Sequence, residues 1–172
     1  EAMTSFTTVN IITLNDLAAS LIFDHAPLGA IVKYSDGTPR PPERHRKKLA
    51  AWKHRNSSGR LVAKQPRRVI GNTTIADSFK LHEGDFGEGA VVVLRVYRSF
   101  SIDSDLSFTV VERPAIGSVI VLDLPDGELV HVAESEAAAQ TWLQSHGYPR
   151  AVLQPISADE VAAAVVEGRA AA

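Results

Sequence analysis

Between Lys33 and Arg68 the sequence carries twelve basic side chains, Lys33, Arg40, Arg44, Arg46, Lys47, Lys48, Lys53, Arg55, Arg60, Lys64, Arg67 and Arg68, against Asp36 and Glu43 alone. That segment holds a charge of +10, while the rest of the chain, with six basic and eighteen acidic residues, holds −12. The formal charge of −2 hides this segregation. Cations at this density create a local positive potential, and the chemistry they supply is neutralisation of phosphates with release of condensed counterions. The competing explanation is a basic segment that lies against the protein's own acidic surface or against an acidic protein partner.

A helix is expected from about residue 42, where Pro41 and Pro42 sit at the first turn, to Arg55, before the breaker Asn56-Ser57-Ser58-Gly59. Projected at 100° per residue, His45, Leu49 and Trp52 fall in one narrow band, with Arg44, Lys48 and Arg55 on one flank and Arg46 and Lys53 on the other. Lys47 and His54 lie opposite that band. Two large side chains thus pin a helix whose remaining circumference is cationic. Lys64, Arg67 and Arg68, around Gln65-Pro66, extend the surface as a basic loop, and Tyr34 and Trp52 are candidate stacking rings, Trp52 more naturally a core residue. No helix-turn-helix, zinc-finger or ribonucleoprotein motif accompanies the helix, so backbone contact with limited sequence preference is the expectation.

The most enzyme-like stretch is His82-Glu83-Gly84-Asp85-Phe86-Gly87-Glu88-Gly89, followed by Asp103 and Asp105. Clustered carboxylates hold magnesium, and magnesium beside a basic surface would cleave phosphodiesters. The spacing matches no calcium loop or other metal motif, which favours a glycine-rich hairpin whose acids stay in water. Asp85-Phe86-Gly87 echoes a kinase triplet, but no phosphate loop or catalytic loop accompanies it. His25, His45, His54, His82, His131 and His146 are scattered, with no pair at i, i+4 to grip zinc, and His131 reads as a structural histidine in a strand. No serine sits in Gly-x-Ser-x-Gly, and the phosphate-loop and dinucleotide fingerprints are missing.

These residues need a scaffold. Thr13 or Asn15 is expected to cap a helix through Asp16, Leu17, Ala18, Leu21 and Ile22, ended by Pro27 and Gly29. A strand over 30–34 leads into the turn Ser35-Asp36-Gly37-Thr38. Further strands are expected near 60–64, 73–81, 90–100, 106–112, 118–122 and 129–133, an antiparallel reading in which Leu106, Phe108 and Val110 share the buried face. Pro125-Asp126-Gly127 marks a hairpin. A helix over 134–146 with Gly147 as its cap, a strand over 151–156, and a last helix opened by the capping box Ser157-Ala158-Asp159-Glu160 and ended at Gly168 complete the reading.

The chain has 172 residues, 45% of them hydrophobic and 22% charged, enough for one compact domain over residues 4–168 and unlike a disordered or collagenous chain. Residues 1–3 read as an expression scar and start, and 169–172 as a fraying tail. Without cysteine there is no disulfide scaffold, thiolate zinc site or thiol catalysis. No apolar run reaches membrane-spanning length, and a cytoplasmic protein is expected.

The fold expected is α+β, an antiparallel sheet of six or seven strands curled towards a small barrel, with an inserted basic helix and C-terminal helices. The expected function is binding of nucleic acid, duplex DNA first, by Arg40, Arg44, Arg46, Lys47, Lys48, Lys53 and Arg55 with Arg60, Lys64, Arg67 and Arg68, without metal or cofactor. A second reading is a protein-interaction module or homodimeric adaptor whose basic face meets an acidic partner. A third is a metal-dependent nuclease using Glu83, Asp85 or Glu88.

Overall fold

The computed structural model describes residues 17–89 and 91–158. In chain order these form α1 (Ala19–His25), β1 (Ile31–Ser35), α2 (Arg46–Arg55), β2 (Ser57–Gln65), β3 (Arg68–Ile70), β4 (Thr73–Ile75), β5 (Ser78–Glu88), β6 (Val91–Ser101), β7 (Ser107–Glu112), β8 (Val119–Asp123), β9 (Glu128–Ala133), α3 (Glu136–Ser145) and β10 (Ala151–Pro155). The fold is α+β, and each strand pairing among the described residues is antiparallel.

The strands divide into a five-stranded sheet in the order β6-β5-β2-β1-β7, a three-stranded sheet β10-β8-β9, and the hairpin β3-β4. This corrects the single sheet of six or seven strands. The chain leaves the larger sheet after β7 because Pro114 cannot donate to a ladder and Gly117, at φ 89°, turns the backbone into the left-handed region. The expected curling into a barrel is also absent, since β6 and β7 end the larger sheet without meeting.

Strand alternation builds the first core. In β1, Val32 and Tyr34 are buried while Lys33 is exposed, and across the ladder Val32 faces Val110 and Tyr34 faces Phe108. Leu106, Phe108 and Val110 are all buried, as their spacing predicts. Rings of Tyr34, Phe79, Phe100 and Phe108 meet there, with Phe79 and Phe108 edge-on at 5.3 Å. Burial of each such ring stabilises by about 1.5–3 kcal/mol. Helix α1, through Ala19 and Ile22, and Ala26 just beyond its end cover this core. It starts later than expected because Leu17 is extended, exchanging backbone hydrogen bonds with Phe108 at 2.8 and 2.9 Å. Thr13, Asn15 and Asp16 lie outside the described residues.

β2 joins the two larger sheets. Its consecutive residues Leu61, Val62 and Ala63 are all buried, Leu61 in the first core and Val62 beside Ile120, Leu129 and Ile156 in a second. A register shift between Leu61 and Ala63 accompanies this two-sided burial. A third cluster packs Ala139 of α3 against Val119, Val121 and Ala133.

Several boundaries move. The strand expected over 73–81 is two strands, broken where the Asp77 carboxylate accepts the Arg67 amide at 2.6 Å and the Asp77 carbonyl accepts the Ile102 amide. Ser135, accepting from the Ala138 amide, caps α3, and the helix ends at extended His146 without a left-handed Gly147. Pro125-Asp126-Gly127 does turn β8 into β9, with Gly127 at φ 66°. Ala90, Asp159, Glu160 and the helix expected to follow lie outside the described residues. No helix among the described residues is long and apolar enough to cross a membrane.

Candidate nucleic-acid interface

α2 stands on the turn that follows β1. Asp36 Oδ1 accepts from the Thr38 amide (3.0 Å), the Thr38 hydroxyl (2.6 Å) and Asn56 Nδ2 (3.0 Å), while Gly37 takes the φ of 77° that closes the turn. Asn56 Oδ1 accepts from Ser35 Oγ and the Asp36 amide, and Asn56 Nδ2 also donates to the Trp52 carbonyl. Trp52 Nε1 donates to the Thr38 carbonyl at 2.9 Å. Both ends of the β1–β2 connection are thereby tied together beneath the helix.

The helix begins at Arg46, not at 42. Residues Pro42 to His45 form a turn in which the His45 amide donates to the Pro42 carbonyl, and His45 itself is non-helical at φ −93°, ψ 64°. No residue of α2 is buried; Leu49 and Trp52 are half-buried, and His45 is exposed. The apolar band is thus two side chains wide. Lys53, His54 and Arg55 occupy the last turn, where positive charge complements the helix dipole.

The cations divide by partner. Arg40 pairs with Glu43 at 3.0 Å, and Arg55 pairs with Asp36 at 3.3 Å and Asp105 at 2.9 Å. Hydrogen bonds from Thr38 and then Asn56, helped by Arg55, hold the Asp36 carboxyl at about 2, and Asp105 first, then Asp36, raise the Arg55 pKa. Both acids of the basic segment are engaged in this way. Arg44, Arg46, Lys47, Lys48 and Lys53 are exposed, and among the described residues none of them has a carboxylate partner.

The remaining basic residues lie elsewhere. Lys64, Arg67 and Arg68 line a groove with Lys80, Asp126 and Glu128, where Lys80 pairs with Glu128 at 2.9 Å. Burial lowers the Lys64 pKa against the opposing pull of Asp24. Arg60 turns to a separate cavity and donates from Nη1 to the Gly29 carbonyl at 2.7 Å. The eleven residues expected to act together therefore occupy three places. Tyr34 is not available for stacking on bases: it is buried, its hydroxyl donates to Glu83, and burial followed by Glu83 pushes its pKa up to about 12.

The acidic stretch is the far half of β5 running to the hairpin at Gly89. Its acids do not all stay in water, since Glu83 accepts from Tyr34 and Asp85 Oδ1 lies 2.7 Å from His82 Nε2. Glu88 is exposed, and among the described residues no three His, Asp or Glu side chains gather to hold a metal.

Sequence reasoning missed the cavity that Arg60 enters. It has a volume of about 330 Å³ and brings together His82, His131 and His146, read from the sequence as scattered. A register shift between His82 and Gly84 adds Asp85 to the same lining: in an uninterrupted strand residues 82 and 85 face opposite sides, and the extra residue brings both side chains to one. Trp142 stacks on His131 at 4.4 Å and on His146 at 4.0 Å. Burial, then His146 and Arg60, lower the His131 pKa. The one sequence signal was the aromatic and histidine content of 142–148, which alone does not indicate what it faces.

Comparison with curated proteins and with solved structures finds no match. A family model described as Uncharacterised conserved protein UCP036055 matches residues 17–160.

Proposed function

The chain belongs to the family of uncharacterised conserved protein UCP036055, and we propose that it binds nucleic acid, duplex DNA in the first place, through the exposed cations of α2. The observation that carries this reading is the set Arg44, Arg46, Lys47, Lys48 and Lys53, which crowd one exposed helix and its lead-in without a carboxylate partner among the described residues. Had the segment served to cover the protein's own acids, these side chains would be the ones engaged. Instead the nearby acids take Arg40 and Arg55, the residues at the two ends. Like charges this close repel, and a phosphate backbone relieves the repulsion while releasing counterions.

Ten residues of helix span about 15 Å, enough to reach several successive phosphates. The contact is to the backbone, with Arg40 and Arg55 orienting the ends of the segment through their ion pairs. Lys64, Arg67 and Arg68 are a second, weaker contribution, because Asp126 and Glu128 share their groove.

Fluorescence anisotropy with labelled duplex DNA, single-stranded DNA and RNA at about 50 and 200 mM salt tests the proposal, since phosphate neutralisation makes affinity fall steeply with salt. Joint replacement of Arg46, Lys47 and Lys53 by Ala is expected to weaken binding uniformly across sequences and flatten its salt dependence. Absence of binding at low salt, or binding unchanged by the replacement, overturns it. Partner capture that survives nuclease treatment would then direct attention to an acidic protein.

A further inference from the structure

The cavity beside β2 shares no residue with α2, and its lining is chemically distinct. Arg60 enters from β2, His82 and Asp85 from β5, Arg95 from β6, His131 from β9 and His146 from the end of α3. Two guanidinium groups face one carboxylate, and that carboxylate is already engaged, 2.7 Å from His82 Nε2 and 3.8 Å from Arg95 Nε. The lining therefore holds one uncompensated positive charge before any imidazole takes a proton.

The donors are held in place. Arg60 Nη1 is fixed by the Gly29 carbonyl at 2.7 Å, and His146 Nδ1 lies 2.8 Å from the Trp142 carbonyl oxygen. Stacking on Trp142, at interplanar angles of 2° and 11°, orients the His131 and His146 rings. Val62, Leu129 and Val132 supply an apolar wall. A volume of about 330 Å³ is at the lower end of the range for small-molecule sites. With Arg60 and Arg95 against the single carboxylate of Asp85, an anion is the ligand the charge of this lining fits.

Geometry narrows the anion. A planar carboxylate is satisfied by one arginine fork, whereas a phosphoryl group offers three oxygens around a tetrahedron and takes donors from several directions. Here the lining residues that carry donors come from four strands and the end of a helix. We propose that this cavity binds the phosphoryl group of a small phosphorylated molecule, with Arg60 and Arg95 as its charge partners and the three imidazoles as further polar contacts. The apolar wall accommodates the compact body that carries the phosphate.

Histidine NMR resonances test this without dependence on the α2 reading. Inorganic phosphate and ribose 5-phosphate are each titrated into the full chain, with acetate as the planar comparison. The expected result is saturable shifts of His82, His131 and His146, acetate binding at least tenfold more weakly, and persistence of the shifts in the Arg46, Lys47, Lys53 triple-alanine protein. Arg95→Gln is expected to weaken phosphate binding at least tenfold, with partial recovery in Arg95→Lys.

Shifts confined to His45 and His54, no saturation, equal binding of acetate, or unaltered affinity in folded Arg95→Gln would each overturn the proposal. Should Arg95→Gln fail to fold, the wild-type titration against acetate decides. A 5′-phosphorylated oligonucleotide binding the same histidines more tightly than ribose 5-phosphate would overturn the small-molecule assignment and give the cavity to a nucleic-acid end.

Discussion

Asp36 and Asn56 exchange hydrogen bonds across the root of α2: Asn56 Nδ2 donates to Asp36 Oδ1 at 3.0 Å, and the Asp36 amide donates to Asn56 Oδ1 at 3.2 Å. The same Asn56 amide group also engages Ser35 and Trp52. One buried side chain therefore fixes where the basic helix leaves and rejoins the sheet, which is why a helix with no buried residue of its own holds a definite position.

Asn56→Ala leaves these donors and acceptors without their partner, and each unsatisfied group costs about 1–3 kcal/mol. The expected outcome is a lower urea midpoint with an unchanged urea dependence. A variant as stable as the parent would show that the network does not anchor the helix.

Acid should loosen the same root. The Asp36 carboxyl lies at about 2 in the folded protein, below its ordinary value of 3.8, chiefly through hydrogen bonds from Thr38 and then Asn56. The unfolded chain therefore binds this proton more readily, so the stabilisation is complete above pH 4 or so and is lost as pH falls towards 2. Asp36→Asn is expected to be less stable at neutral pH and to show a shallower loss of urea midpoint between pH 5 and 2.5. An equal acid slope in the two proteins would assign that titration to other carboxyl groups.

The two basic surfaces should differ in salt dependence. Each phosphate contact contributes about 0.9 to the slope of log affinity against log salt for duplex DNA. Replacing Arg46 and Lys47 by Ala is expected to lower that slope by more than replacing Arg67 and Arg68, whose groove contains Asp126 and Glu128. The reverse order in anisotropy titrations would move the main contact surface to the β2–β3 loop.

Core and sheet make separate demands. Phe108 is fully buried among Tyr34, Phe79 and Phe100, so Phe108→Ala should destabilise by about 3–5 kcal/mol in chemical denaturation. A loss under 1 kcal/mol or so would mean that the cavity closes by repacking.

At Gly59 a methyl group would sit 2.7 Å from the His82 carbonyl oxygen and 3.0 Å from Leu81 Cβ. Gly59→Ala should therefore force β2 and β5 apart, at a cost of about 1–3 kcal/mol. Calorimetry showing no fall in melting temperature would indicate that the two strands separate freely there.

The strand face of Leu106, Phe108 and Val110, the turn at Asp36-Gly37 and the hairpin at Asp126-Gly127 were legible because each rests on alternation or on a backbone conformation that neighbouring residues impose. The charge segregation was legible for the same reason, since it is a property of adjacent residues. Partners distant along the chain were not. Asp105 lies 50 residues from Arg55, and only the fold brings the two to 2.9 Å, so the sequence did not reveal which cations would remain without a carboxylate.

What the chain by itself determined is thus the α+β character, the helix that carries the cations, and the short-range turns that hold it, all governed by interactions within a few residues. What the tertiary structure alone decided is the division of the strands into open sheets, the separation of Arg60 from the α2 cations, and the meeting of His82, His131 and His146 in one cavity. Those outcomes depend on strand register, where one extra residue reverses a side chain's face, and on packing between segments whose separation along the chain leaves no local signature.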